Sequence, residues 1–323
     1  MSITRHRHGL QVTGTPLFLD ARRKAPVSFV SHAHSDHVAR HAQTIATAPT
    51  LRLMEQRWGR IEAPLSVPYH QPFALGTLTL ELLPAGHILG SAQLKVTRAD
   101  GHVLLYTGDL NDQRTLTAEP LVSARCDTLV IESTYGDPQD RFPPRTEVLA
   151  QLFEWVERVL AAGDAPVLLC RPLGKAQELM AQLGRRGFRV VAHPSMWALA
   201  EVYRESGITF PAARAFDGRL QPDEVLLWPL HQVHAPEFLT FKRRPRKAVL
   251  SGGAGAGTRR SRDVRHFLLS DHADHAGLIA YAMATGAQEV LTHHGAAEAL
   301  AAGMRGAGLN ARALSDAVQL DLL

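Results

Sequence analysis

Residues 31–37 read Ser-His-Ala-His-Ser-Asp-His, which puts four potential metal donors, His32, His34, Asp36 and His37, within six residues. They follow directly on the apolar, strand-like run VSFVS at 27–31, so they sit in a tight loop at a strand end. Alternation points His32 and His34 to one side, and a turn through Ser35 redirects Asp36 and His37 to a second point a few ångströms away. That arrangement suits two cations better than one. Two-metal hydrolases hold their ions about 3.5–4 Å apart, so that a water is activated while the charge developing on a phosphate is neutralised. Mixed imidazole and carboxylate donors favour zinc, with manganese as the alternative, over calcium or magnesium. A lone His-x-His is more often a polar surface pair; the density of this string argues against that reading.

Later residues complete the set. His87 in PAGHILGSA follows the strand-like TLTLELL, and Asp109 in YTGDLN follows HVLLYT. They supply a third imidazole and a carboxylate able to bridge. Asp20, at the end of PLFLD, either supports the loop through hydrogen bonds or serves a turn. Glu132 ends the apolar run DTLVIES, where a carboxylate needs a partner. His272 is flanked by Asp271, Asp274 and His275, and His293 and His294 are adjacent. Lys175 in PLGKAQEL opens a helix, where its charge and the helix N-terminus can meet a substrate phosphate, although a surface lysine reads the same way. The densest basic run is Lys242, Arg243, Arg244, Arg246 and Lys247, followed by Arg259, Arg260, Arg262 and Arg265. It serves either phosphate contacts or a solvated loop face.

Positioning these residues falls to two kinds of segment. Up to about residue 140 the pattern is β-rich with few helices expected: strands at 27–31, 77–83, 93–97, 102–107 and 127–133, with Asp100-Gly101 as a hairpin turn. After residue 143 helix-like and strand-like runs alternate, from TEVLAQLFEWVERVLAAG through APVLLC, GKAQELMAQLGRRG, FRVVA, SMWALAEVYRESG and DEVLLWPL. That alternation predicts a small parallel sheet in a separate α/β unit. The Gly-rich stretch Gly252 to Gly257 marks its boundary. Beyond it the pattern predicts a helix at 274–286, a strand at QEVLT, a helix at 295–306 and a short final strand.

Bulk properties agree. At 323 residues, 45% apolar and 20% charged, the chain is a folded protein of one large or two linked domains, two being favoured. Its net charge of +4, from 35 basic and 31 acidic residues, is compatible with a polyanionic partner without demanding one. Cys126 and Cys170 are the only cysteines, far apart, so any metal site must use His and carboxylates. Neither a long apolar span nor the apolar segment of a secretory signal is present, which reads as a cytoplasmic protein with no membrane association.

HAHSDH, GHILGSA and TGDLN resemble, in order, the metal motifs of the metallo-β-lactamase superfamily. VIESTYGD at 130–137, LSDHADHAGL at 269–278 and VLTHHGAAEAL at 290–300 resemble the additional motifs of its β-CASP nucleases. The resemblance covers nearly the whole chain. PAGHILGSAQ, PLGKAQEL and LSDHAD are most similar to bacterial DNA-ligase-associated exonucleases. It implies an α/β fold, a metallo-β-lactamase αββα sandwich formed by residues 1–142 and 256–323, with a small α/β β-CASP cap inserted at 143–255. It further implies that His32, His34 and His87 hold one cation, Asp36, His37 and His294 a second, and that Asp109 bridges them, with Asp36 and Asp109 counted among the catalytic groups. Of the His pair, His294 before Gly295 matches the motif position. His272 is implied as the group that stabilises the transition state or protonates the leaving oxygen, oriented by Glu132, whose charge favours the imidazolium. Lys175, Arg243 and Arg244 are candidate phosphate-binding residues.

The function so implied is hydrolysis of phosphodiester bonds by a water activated between two cations, zinc or manganese. The expected substrate is single-stranded DNA, degraded 5′ to 3′ in a repair pathway with a DNA ligase and a helicase as partners. Three other readings remain open: an RNase J-like ribonuclease, a metallohydrolase of small esters, thioesters or lactams, and a silent nucleic-acid-binding subunit. The complete donor set argues against the last.

Overall fold

Short runs of alternating apolar residues in the first third of the chain form strands, and the strands form two sheets. The computed structural model describes residues 3–6, 9–232, 236, 242–253 and 264–314. The first sheet contains β1 (Ile3–His6), β2 (Gly9–Val12), β3 (Leu17–Leu19), β4 (Val27–Phe29), β5 (Gln43–Ala46) and β6 (Pro64–Ser66), in that order. Strands β1 to β3 pair antiparallel and β3 to β6 parallel. Between β5 and β6 lies α1 (Ala48–Trp58), a helix that the β-rich expectation passed over. Its signal is in the sequence: the Thr47 hydroxyl accepts from the Thr50 amide as N-cap, proline occupies the first turn, and Gly59 stops the helix.

The second sheet begins with β7 (Phe73–Leu75), β8 (Leu78–Pro84), β9 (Ala92–Thr97), β10 (Val103–Tyr106) and β11 (Thr128–Glu132). Thr97 pairs with Val103 across the Asp100-Gly101 turn, where Gly101 takes φ +86°, a left-handed conformation glycine adopts without steric cost. The chain then builds a separate sheet. After α2 (Arg145–Ala161) come β12 (Ala165–Cys170), α3 (Lys175–Arg185), β13 (Arg189–Ala192), α4 (Pro194–Glu205), β14 (Ala213–Ala215), β15 (Glu224–Pro229), β16 (Pro245–Ser251) and β17 (Val264–Leu268). These strands are ordered β14-β13-β15-β12-β16-β17 and every pairing is parallel. Finally α5 (His275–Thr285), β18 (Glu289–His293), α6 (Ala297–Gly306) and β19 (Ala311–Ala313) return to the second sheet, whose order is β19-β18-β11-β10-β9-β8-β7.

Period-two alternation assigns the faces of that second sheet. Leu80, Leu82, Leu104, Tyr106, Val130 and Leu291 share one core with Leu17, Leu19, Phe29 and Ile45 of the first sheet. The intervening Leu83, Leu105, Leu129, Ile131 and Val290 pack instead with Leu278, Tyr281, Leu300 and Met304 of α5 and α6. The result is a mixed α/β architecture in which two sheets are packed face to face and helices cover the outer face of the second. Each fully buried Leu or Phe contributes about 1.5–3 kcal/mol to that packing.

By its internal contacts the chain divides into two compact units: residues 1–114, 118–141 and 272–323 form one, and 115–117 with 142–271 the other. The second unit therefore runs beyond the Gly-rich stretch expected to end it. Strand β17 pairs with β16 in register Lys247 to Val264, so Val264–Leu268 belongs to the parallel sheet. Residues 254–257 of the Gly-rich stretch, and Arg259, Arg260 and Arg262 of the basic run, lie outside the described residues.

Candidate metal centre

Every donor of the predicted set stands just past a strand of the first unit. Asp20 follows β3 with φ 47°, a left-handed conformation Asp tolerates better than most residues. Its carboxylate is 6% exposed and accepts from the Ser31 amide at 2.7 Å, the Ser31 hydroxyl at 2.6 Å and the Tyr106 hydroxyl at 2.7 Å. Nδ1 of His37 lies 2.8 Å from the same carboxylate. Of the two roles the sequence left open for Asp20, support of the histidine loop is thus built in. Ser31 and Tyr106, which sequence reasoning did not single out, do the same work; only their places, one residue before His32 and three before Asp109, hinted at it.

Close backbone approach brings the other loops in. Gly86 has φ +80°, and a Cβ there would run into the Asn111 carbonyl. Gly108, φ +56°, passes so near Ser31 that a side chain would collide with it. The His87 turn is fixed by the Ser91 hydroxyl, which accepts from the His87 and Ile88 amides at 3.1 and 3.2 Å.

These loops converge. Nδ1 of His34 lies 3.0 Å from Nε2 of His32 and 3.1 Å from Nε2 of His87. Asp109 Oδ2 is 3.5 Å from the His32 nitrogen and 3.8 Å from that of His87. All four residues are buried, and their donor atoms lie within 4.8 Å of one another. An imidazole nitrogen carries one proton or one lone pair, so this nitrogen triangle cannot be satisfied by mutual hydrogen bonds. It does fit a cation: bonds of about 2.0–2.2 Å in tetrahedral directions separate donors by roughly 3.3 Å. Buried His/Asp donors in this arrangement are compatible with a divalent metal.

Beside that cluster, Nε2 of His37 is buried without a hydrogen bond, 3.5 Å from Asp109 and 3.7 Å from Asp36. Burial presses the His37 pKa down, but Asp109 and Asp20 overcome it and raise it well above the usual imidazole value. Burial raises Asp109 in turn, and His37 and His32 outweigh it, holding the carboxyl well below its ordinary range. Asp36 is likewise pushed up by burial and drawn below the ordinary value chiefly by His37. Burial first, and His37 next, hold His32 well below the imidazole range, as a neutral donor.

His294 stands farther out. Its ring centre is 6.2 Å from that of His37, and its Nδ1 faces Arg22 Nη2 at 3.2 Å. Arg22, which carried no sequence signal, lines with Asp20, Asp36, His37, His293 and His294 a cavity of about 160 Å³. His293 packs its ring 5.5 Å from Tyr106, and burial above all lowers its pKa to about 3. On the other side of the cluster, His272 Nδ1 is 3.1 Å from Glu132 Oε1 and 4.0 Å from Asp109. Glu132 is itself fixed by accepting from the Leu110 amide at 2.8 Å and the Thr134 amide at 3.2 Å. Asp109, Glu132 and His272 form a second group of closely spaced potential donors.

The candidate phosphate-binding residues all lie in the second unit, and two of them have other occupations. Lys175, 5% exposed, donates to the Leu269 carbonyl and pairs with Asp271 at 3.2 Å. Arg243 donates to the carbonyls of Asp164, Pro222 and Gln221. Both charges are engaged within their own unit, Lys175 by Asp271 and a backbone carbonyl and Arg243 by three backbone carbonyls. Arg244 is exposed, with no ion pair among the described residues.

No protein-family profile matches the chain. It is 36% identical over 321 residues to a probable DNA ligase of Opitutus terrae, an alignment that takes in 98% of this chain and 31% of that one. It is 31% identical over 175 residues to an RNase J-like protein of Methanocaldococcus jannaschii, covering 47% and 41% of the two chains. The chain thus spans well under half the length of these two curated relatives. Its fold resembles that of a protein of unknown function from Enterococcus faecalis, with a TM-score of 0.58 at 14% identity over 82% of this chain and 74% of the other.

Proposed function

The chain belongs to the β-CASP family of the metallo-β-lactamase superfamily, and from that premise we propose that it is a metal-dependent nuclease that hydrolyses phosphodiester bonds, a 5′-to-3′ exonuclease of single-stranded DNA. The observation that carries the reading is the convergence of His32, His34, His87 and Asp109 beside the His272–Glu132 pair. A cradle for a cation and an imidazole–carboxylate pair share the Asp109 carboxylate, which is what cleavage of a charged diester with a poor leaving group demands. Hydrolysis of a lactone or thioester has less need of the second element.

In this reading His32, His34, His87 and Asp109 would hold one divalent cation, and Asp36, His37 and His294, with Asp109, would hold a second. Zinc suits these donors best and manganese is the alternative. The chemistry such cations would supply is a nucleophilic water at neutral pH and neutralisation of charge on the phosphate. Asp20 keeps Nδ1 of His37 engaged, which would leave Nε2 free to hold a cation, as carboxylates beside metal-bound histidines generally do. Glu132 keeps Nδ1 of His272 engaged, leaving Nε2 to give a proton to the departing 3′ oxygen. The second unit is the inserted β-CASP cap in this reading.

Similarity to a stretch of a probable DNA ligase supports DNA as substrate and a ligase as partner in repair; a helicase partner belongs to the same proposal. Similarity to an RNase J-like protein makes RNA the second reading. No described helix is long and apolar enough to cross a membrane, and a cytoplasmic location goes with the proposal. Digestion of 5′-labelled single-stranded DNA and matched RNA, with zinc or manganese, decides between the readings. Mononucleotides released from DNA, and lost in both His272→Ala and Asp109→Ala, are expected. Cutting of RNA alone would replace DNA by RNA, and cutting of neither would overturn the nuclease assignment.

A further inference from the structure

The motif PLGKAQEL buries three polar side chains in the first turn of α3, Lys175, Gln177 and Glu178, more than capping a helix requires. Gln177 closes the turn on itself by accepting from the Gly174 amide and donating to the carbonyls of Pro172 and Met196. The two charged residues reach elsewhere. Lys175 Nζ pairs with Asp271 at 3.2 Å and donates to the Leu269 carbonyl. Arg145, at the start of α2, donates to the Ser270 carbonyl at 3.1 Å and to Glu178 Oε1 at 2.9 Å. Leu269, Ser270 and Asp271 are therefore each held by a cationic side chain. The other Glu178 oxygen accepts from the Leu116 amide and the Thr117 hydroxyl, each at 2.9 Å.

All of these contacts lie inside the second unit, yet the residue after Asp271 is His272. On its far side the Ala273 amide donates to the Leu110 carbonyl at 2.9 Å, one residue past Asp109. The main chain is thus restrained immediately before and immediately after the imidazole. Burial draws the Lys175 pKa down and Asp271 opposes it.

We propose that Lys175 and Asp271, supported by Arg145 and Glu178, are positioning residues that fix the main chain entering His272 and so aim its ring at the leaving oxygen. The inference rests on the nuclease reading above. A misplacement of the order of an ångström in a reacting group costs on the order of 10²-fold in rate.

The test compares Lys175→Met, Asp271→Asn and the double variant Lys175→Met/Asp271→Leu with His272→Ala. The double variant leaves no uncompensated buried charge, so it stays measurable if a single variant misfolds. Two substrates separate proton donation from general damage: the nucleic acid, and bis(p-nitrophenyl) phosphate, whose leaving group departs as a stable anion and needs no proton. Expected for the positioning variants is a fall in kcat on nucleic acid of about 10²-fold, with KM and bound metal unchanged. Hydrolysis of the activated diester falls less than about fivefold, the same split as in His272→Ala. An equal fall on both substrates, loss of bound metal, or no fall in the double variant would overturn the positioning role. Equal losses in His272→Ala itself would instead remove the acid role of His272, and the positioning proposal with it.

Discussion

Replacing Asp20 by Asn tests whether the histidine loop is held from behind. The substitution keeps the shape of the side chain and tolerates the left-handed φ of 47°, so any effect comes from the lost charge. In the native protein that charge meets three donors, the Ser31 amide, Ser31 hydroxyl and Tyr106 hydroxyl, and Nδ1 of His37. Hydrogen bonds to a charged group contribute about 1.5–3 kcal/mol each. An amide still accepts at its oxygen but turns two N–H groups toward donors, and His37 loses a buried counter-charge. The cost is about 3–5 kcal/mol, the usual penalty for removing one partner of a buried charge pair. At about 2–4 °C per kcal/mol for larger domains, the metal-free protein should melt roughly 6–20 °C lower. Metal affinity should fall by about 10- to 100-fold, because His37 is no longer held in its ligating orientation. Calorimetry under a chelator reads the first quantity, and competition with a chromogenic chelator for zinc reads the second. A variant that melts within about 2 °C of the parent and competes for zinc equally well would refute the reasoning.

The remaining expectations concern pH, backbone and metal. His293, whose pKa burial lowers to about 3, is a base held neutral in the fold, so its contribution is complete above the unfolded value near 6.5 and is lost as pH falls toward 3. Between pH 6.5 and 4.5 that loss reaches about 2 kcal/mol; His293→Phe, melted metal-free over this range, should show a correspondingly smaller acid destabilisation than the parent. Gly86→Ala should cost about 1–3 kcal/mol through its positive φ and displace the His87 turn from Asn111, lowering bound metal measured by mass spectrometry of the native protein; an unchanged metal content would show that the turn tolerates a side chain. If His32, His34, His87 and Asp109 hold a cation as proposed, His87→Ala should release it, seen as metal loss on dialysis that leaves the parent loaded.

What could be read from the sequence was the part that depends on local spacing. His32, His34 and His37 lie within six residues after an apolar strand, and no arrangement of the rest of the chain can separate them by much. Glu132 ends β11, and His87 and Asp109 stand three residues past β8 and β10; these strands run through one sheet, of which the sequence suggested only the hairpin joining β9 and β10. The α/β alternation after residue 143 was equally legible, because helices and strands of that length announce their period. Boundaries were not: β17 pairs with β16 across residues whose Gly-rich composition reads as a break, since hydrogen bonding between strands is indifferent to what joins them.

Tertiary structure alone decided which charges face which partners. Asp20, eleven residues from Ser31 and eighty-six from Tyr106, became the support of the histidine loop only because β3, β4 and β10 bring their ends together. Lys175 and Arg243 read as phosphate ligands from charge and position, yet folding closed them onto Asp271 and onto backbone carbonyls. His294 sits in the expected motif position, and its partner Arg22 is 272 residues away in sequence. A charged side chain reaches several ångströms and has many rotamers, so its sequence position restricts it weakly. A buried ion must find its counter-charge wherever the chain provides one, and that choice belongs to the packed fold.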